Sequence, residues 1–428
     1  MAKIEIGKND FMVDEPLNIR VYTSEPGQQI TIRMEMTDDE GKTFLSQADF
    51  ISDESSVIDL NTAVPMNGSY NQADGSGLLW SMTGKKGGQD DYFVKKSDED
   101  LEAGIYVMTE DEILATAVLT LQFKNDLTEM IEIEDPDIKG RLYAPAEDGN
   151  YPSVMILGGS DGGNEAHAAS FLAGKGYLVL ALSYFNDDGL GEHLEKVDME
   201  YFKKASDFLA GHAKSNGKVN LIGYSKGGEL ALLLGRTFNA YQSIVAGAAS
   251  NYVTSGMKGG IFAPVPGWML DGEPLPYLKM KFPVSFMIST ITNYIRKRPM
   301  YFLDIWKRSL SRKKSSEYKI EVGEISAPLM MISGGEDKLW PSAVFSEEMM
   351  KERENEGDVF LTYENAGHFI AFPYSFHQLP SIVHMNLDGM VIDFGGTKQD
   401  NAEAAKNTLT EILSFLKKNN SGKSDFSK

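Results

Sequence analysis

Ser225, Asp337 and His368 are three residues whose types and order could turn an ordinary hydroxyl into a nucleophile. Ser225 lies in Gly223-Tyr224-Ser225-Lys226-Gly227, between the apolar run KVNLIGY and the helix-like GGELALLLG. A strand that turns abruptly into a helix crowds its own backbone. Only glycines then fit on either side of a serine held at the apex. The turn exposes the hydroxyl. The backbone N–H of Lys226, at the start of the helix, points to where an oxyanion would form.

Asp337 follows the buried-looking run PLMMISGG, and His368 follows DVFLTYENAG. A serine, then an acid, then a histidine, each past its own strand, is the order of the α/β-hydrolase fold. In that reading His368 takes the proton from Ser225, while Asp337 fixes the imidazole tautomer and stabilises its cation. Glu336 is the rival acid, but one residue earlier it points to the other side of the turn, so Asp337 is expected. The second oxyanion donor is expected in SVMILGGSDGGNEA, with the N–H of Ser160 first and that of Asp161 next. This loop lacks the Gly-x-Gly-x-x-Gly and Lys-Ser/Thr patterns of phosphate loops. Histidines 167, 193, 212, 377 and 384 show no metal-ligand spacing, so neither metal nor cofactor is expected.

Composition narrows the classes further. The 428 residues carry 62 acidic against 41 basic side chains, a formal net charge of −21, which disfavours a nucleic-acid partner. There is no cysteine, which removes disulfides, thiolate metal sites and a thiol nucleophile together. No apolar run is long enough to span a bilayer, and the opening MAKIEIGKND alternates like a strand. These features lead to the expectation of a cytoplasmic protein without stable membrane insertion.

The elements that must position these residues fall into two expected domains. Residues 1–127 give short alternating segments such as LNIRVY, ITIRMEM and ATAVLTLQF, with a turn at DDEG, which reads as a β-sandwich. Residues 128–428 alternate strand-like and helix-like runs, which reads as a mostly parallel sheet covered on both faces. The alternation lapses at about 251–323, a lid-like insertion. From Lys279 to Lys319 eleven Lys or Arg face only Asp304 and Glu317, so Arg296, Lys297 and Arg298 are candidate contacts for an anionic ligand.

GYSKGGEL, preceded by FLAGKGYLVLALSYFND and followed by GGEDKLW and ENAGHF, resembles the acyl-CoA thioesterase and bile acid-CoA:amino acid N-acyltransferase family. PGQQITIRMEMTDDEGKTFLSQADF and GSYNQADGSGLLWSM resemble its N-terminal immunoglobulin-like domain, and GGTKQDNAEAAKNTLTEILSFLKK its closing segment. The resemblance implies that Ser225, Asp337 and His368 occupy the family's triad positions, and that the substrate is an acyl-CoA cleaved to free acid and CoA. It also implies that the transferase branch carries cysteine where this chain has Ser225. The alternatives are a carboxylesterase for another acyl ester, transfer to an amino acid, and a non-catalytic binding module. The intact serine, acid and histidine favour catalysis.

Overall fold

Alternation of inward apolar and outward polar residues builds the first part of the chain. Ile30, Ile32, Met34 and Met36 of strand Gln29–Thr37 are buried, opposite Phe44, Ser46, Ala48 and Phe50 of Thr43–Ile51. The turn between these strands is the DDEG segment, with Gly41 at φ +78°. This computed structural model describes residues 2–85, 89–312 and 314–421. Lys313, one of the eleven basic residues noted above, lies outside them. The paired strands belong to a seven-stranded sheet, beside which a three-stranded sheet is formed by Lys3–Ile6, Ile19–Tyr22 and Val57–Asp59.

From residue 128 a single eight-stranded sheet carries the fold. Its strands are β1 (Thr128–Ile131), β2 (Gly140–Pro145), β3 (Tyr151–Leu157), β4 (Leu178–Leu182), β5 (Ser215–Tyr224), β6 (Ile244–Gly247), β7 (Leu329–Gly334) and β8 (Val359–Tyr363). They lie in the order β1-β2-β4-β3-β5-β6-β7-β8. β2 runs antiparallel to both of its neighbours, β1 and β4, and the remaining pairs are parallel. The central strands β4, β6 and β7 are buried along their whole length, as expected when helices cover both faces. This is an α/β-hydrolase sheet.

The longer helices are α1 (Ala166–Ala173), α2 (Met199–Gly211), α3 (Lys226–Phe238), α4 (Val284–Arg296), α5 (Leu303–Leu310), α6 (Ser342–Lys351) and α7 (Lys398–Asn420). α4 and α5 sit in the insertion, where the loss of strand–helix alternation gave no expectation of helices. A second excursion, between His368 and α7, folds a hairpin from Met385 and its neighbours: His384–Leu387 against Met390–Asp393.

One apolar core crosses from the first part of the chain to the second. Phe123, just past the strand Ile113–Gln122, packs edge-on to Phe376 at 5.9 Å and to His167 at 5.6 Å. Phe376 in turn meets Phe171 of α1 at 5.2 Å and Phe372 at 5.7 Å. Burial pushes His167 down to about 4, so at neutral pH it serves this core as an uncharged ring. A core shared in this way predicts one unfolding event. Phe123→Ala should cost about 3–5 kcal/mol and lower a single calorimetric transition. Two separate transitions, with only one displaced, would contradict the shared core.

Candidate active site

Strand β5 ends at Tyr224 and α3 begins at Lys226, leaving Ser225 alone at the turn with φ 53° and ψ −115°. A non-glycine residue rarely adopts that backbone. The neighbouring glycines are needed because the chain folds back on itself. A Cβ on Gly223 would lie 2.0 Å from the Gly227 carbonyl oxygen, and one on Gly227 would lie 2.3 Å from that of Gly158. The N–H of Ser225 donates to the Gly247 carbonyl at 2.8 Å, fixing the apex to β6.

The structure brings Ser225, His368 and Asp337 into one hydrogen-bonded line. Ser225 Oγ lies 3.0 Å from His368 Nε2, and His368 Nδ1 lies 2.8 Å from Asp337 Oδ2. Asp337 is saturated by its own loop. Its Oδ1 accepts from the N–H groups of Leu339 and Trp340, both at 2.9 Å, and its Oδ2 accepts from Ser342 Oγ at 2.7 Å. Glu336, the rival acid, is exposed and paired with Lys338 at 2.9 Å. The loop of His368 is braced from β5, where the Tyr224 hydroxyl donates to the His368 carbonyl and accepts from Ile370 N–H at 2.9 Å. The ring of Trp340 lies 6.0 Å from that of His368, and both are buried.

Lys226 has two separate parts in this arrangement. Its N–H is the first of α3, one of the four helix amides that have no acceptor within the helix. Its side chain turns inward and is fully buried, with Nζ 2.7 Å from Glu229 Oε1 and 2.5 Å from Thr254 Oγ1. Glu229 also accepts from Thr254 N–H at 3.0 Å, Thr254 Oγ1 at 2.6 Å and Trp268 Nε1 at 3.3 Å. Burial lowers the Lys226 pKa, and the Glu229 carboxylate opposes that shift. The Lys-Gly-Gly-Glu sequence after the serine thus builds a buried ion pair one helical turn long, a role the elbow pattern alone does not reveal.

The glycine-rich loop after β3 is held from a distance. Gly159 N–H donates to the Tyr374 hydroxyl at 2.6 Å, and that hydroxyl donates to Asp161 Oδ1 at 2.6 Å. Lys96, from the first part of the chain, reaches the same loop. Its Nζ lies 2.7 Å from Asp161 Oδ2, 2.5 Å from the Gly162 carbonyl and 3.3 Å from Glu165 Oε1. Burial pushes Glu165 up to about 7 against the pull of Lys96. Burial alone would lower Lys96, but the carboxylates of Asp161 and Glu165 outweigh it and hold its pKa above the usual lysine range. Ser160 lines the cavity, and among the described residues its N–H donates to no protein acceptor. Lys96 and Tyr374 carried no local signal in the sequence, because each acts on a loop far from it along the chain.

A cavity of about 320 Å³ opens at Ser225 and His368. Its walls include Met257, Phe262, Phe302, Trp340, Phe369 and Ile392, so it is largely apolar. Arg296, Lys297 and Arg298 stand exposed at the C-terminal end of α4, and none of them lines it. Among the described residues no cluster of three His, Asp or Glu side chains has the arrangement of a metal site.

Residues 197–422 match the model of the BAAT / acyl-CoA thioester hydrolase C-terminal family, and residues 14–135 match the acyl-CoA thioester hydrolase/BAAT N-terminal region. Acyl-coenzyme A thioesterase 2, mitochondrial, from Rattus norvegicus is 28% identical over 423 residues, covering 96% of this chain and 88% of that protein. Acyl-coenzyme A thioesterase 1 from Mus musculus is 28% identical over 418 residues, covering 95% of this chain and 93% of that protein. Bile acid-CoA:amino acid N-acyltransferase from Mus musculus is 27% identical over 433 residues, covering 97% of each chain. The C-terminal match alone takes in more than half of the sequence, and on it the chain belongs to the BAAT / acyl-CoA thioester hydrolase family.

Proposed function

We propose that the protein is a serine hydrolase that cleaves acyl-CoA thioesters to free acid and CoA through an acyl-enzyme on Ser225. The observation that carries this reading is the 3.0 Å contact between Ser225 Oγ and His368 Nε2 at the wall of an apolar cavity. His368 removes the hydroxyl proton as Oγ attacks the thioester carbonyl, and the imidazolium is stabilised by Asp337. The developing oxyanion accepts from the N–H groups of Lys226 and Ser160. CoA leaves as its thiol after taking the proton back from His368. A water activated by the same ring then releases the acid.

Arg296, Lys297 and Arg298 enter this proposal as contacts for the CoA phosphates, supported by their charge and exposure. Reversing all three to Glu should raise KM for acyl-CoA and leave a phosphate-free thioester of the same acyl group unaffected. An equal change on both substrates would remove these residues from phosphate recognition. A cytoplasmic setting also belongs to the proposal. Relatives that include the rat acyl-coenzyme A thioesterase 2 are named mitochondrial, so subcellular fractionation is the measurement that decides it.

Water, and not an amine, is the proposed acceptor. An oxygen ester on Ser225 is resolved by general-base activation of water, whereas an amine would need its own site and deprotonation. With excess glycine or taurine, mass spectrometry should find free acid as the main product. N-acyl amide in excess of free acid would make the protein a transferase.

Ser225 itself gives two linked expectations. Ser225→Ala should lose about 10⁶ in turnover with its fold intact, and retention of more than about a tenth of wild-type activity would exclude Ser225 as nucleophile. Ser225→Gly should be equally inactive but about 1 kcal/mol more stable than Ser225→Ala, since only glycine relieves the positive φ. Equal denaturant midpoints for the two variants would mean the elbow stores no strain.

A further inference from the structure

Helix α4 is amphipathic with its apolar side outward. Val284, Met287, Ile288, Ile291, Tyr294 and Ile295 follow the i, i+3, i+4, i+7 spacing of one helix face, and their exposures run from 55% to 74%. None of the helix's residues is buried. The side turned toward the body carries Ser289, Thr290 and Asn293 beside Phe286, all partly buried. Their polar atoms are satisfied close by. Ser289 Oγ and Thr290 Oγ1 both donate to the Phe286 carbonyl at 2.8 Å, and Asn293 Nδ2 donates to that of Pro299 at 3.2 Å. A helix packed only for its own domain would have the opposite arrangement.

The ends of this face are cationic. From Pro274 to Leu303 the sequence has Lys279, Lys281, Arg296, Lys297 and Arg298 and no acidic residue, in a chain of net charge −21. All five are exposed, two before the helix and three at its end. An apolar stripe bracketed by cations fits a surface of acyl chains beneath anionic headgroups. It does not fit a second copy of the chain, because pairing α4 with itself in either direction sets cations against cations. At 13 residues the helix is too short to cross a bilayer, and it would lie in the plane of the interface.

The position of α4 gives such docking a consequence. Phe282 and Phe302, on either side of the helix in sequence, line the cavity together with Leu387 and Met390 of the hairpin that follows His368. Tyr294 of α4 lies against Gly389 at the tip of that hairpin. We propose that α4 docks the protein peripherally on anionic lipid surfaces, apolar face down, with the cavity mouth beside the lipid.

The test is sedimentation of the full chain with vesicles, without substrate, so that its result is independent of the hydrolase assignment. The protein should bind equimolar phosphatidylcholine–phosphatidylglycerol vesicles at least about tenfold more tightly than phosphatidylcholine alone. The variant Ile288→Gln, Ile291→Gln, Ile295→Gln replaces exposed side chains with good helix formers, and circular dichroism should show it folded. It should lose vesicle binding about tenfold or more while hydrolysing a short-chain, water-soluble acyl-CoA at the wild-type rate. Equal vesicle binding by variant and wild type would overturn the proposal. So would no vesicle binding by the wild type, or a wild-type dimer in analytical ultracentrifugation that the variant abolishes.

Discussion

The backbone of Ser225 is the constraint around which the second part of the chain is arranged. Holding a serine at φ 53° and ψ −115° costs of the order of 1–3 kcal/mol, and such a conformation persists only where its surroundings over-determine it. Here they do so from both sides. β5 is clamped between parallel neighbours, Ser225 N–H is tied to β6, and the Ser225 carbonyl accepts from Glu229 N–H at 3.1 Å within α3. Gly223 and Gly227 let strand, turn and helix approach to distances that no side chain would allow. Relaxing any one of these would swing the hydroxyl away from His368, whose own loop is braced by the residue next to the serine, Tyr224.

The buried Lys226–Glu229 pair extends this constraint into the insertion. Two desolvated charges are a poor source of stability by themselves, since hydration lost is repaid only by good geometry and full hydrogen bonding. Both conditions are met. The ammonium also meets the Thr254 and Ser255 carbonyls at 3.3 Å and the face of Trp268 at 5.5 Å. Thr254 and Trp268 belong to the segment that leaves β6 and starts the insertion, and Met257 and Phe262, between them, line the cavity. The pair therefore couples the turn that aims the serine to the wall that shapes the pocket.

The sequence made some parts of this structure legible and concealed others for a physical reason. The elbow, the position of Asp337 and the position of His368 are local features: glycines beside a serine, or a polar residue just past an apolar strand. The preference for Asp337 over Glu336 also had a local basis, the opposite sides of the turn that adjacent residues face; in the structure Asp337 is captured by backbone amides two and three residues ahead, while Glu336 is exposed. Lys96 and Tyr374 act across 65 and more residues of chain on Asp161, and no spacing rule reaches that far. Helix α4 illustrates a different limit. Its i, i+3, i+4 spacing is visible in VSFMISTITNYIR, but periodicity identifies an apolar face without saying whether that face meets the core or the solvent.

Lys96 also gives the first part of the chain a role in the electrostatics of the site. Asp161 and Glu165 place two carboxyl groups on the loop that offers Ser160 N–H, close to where the proposed mechanism develops negative charge. Left ionised and unpaired, they would oppose an oxyanion, because like charges repel more strongly where water is excluded. Lys96 sits within 3.3 Å of both and offsets much of that field. Burial works in the same direction by favouring the neutral form of Glu165. The phenol of Tyr374 is itself kept neutral by burial, so it can donate to Asp161 while accepting from Gly159. The loop is thereby fixed by an ammonium and a phenol, neither of which engages the Ser160 amide, and among the described residues that amide donates to no protein acceptor. A sheet strand alone could not supply that cation, because β3 and the residues after it contribute only carboxylates there. The charge had to come from another part of the chain, packed against the loop through the shared core around Phe123.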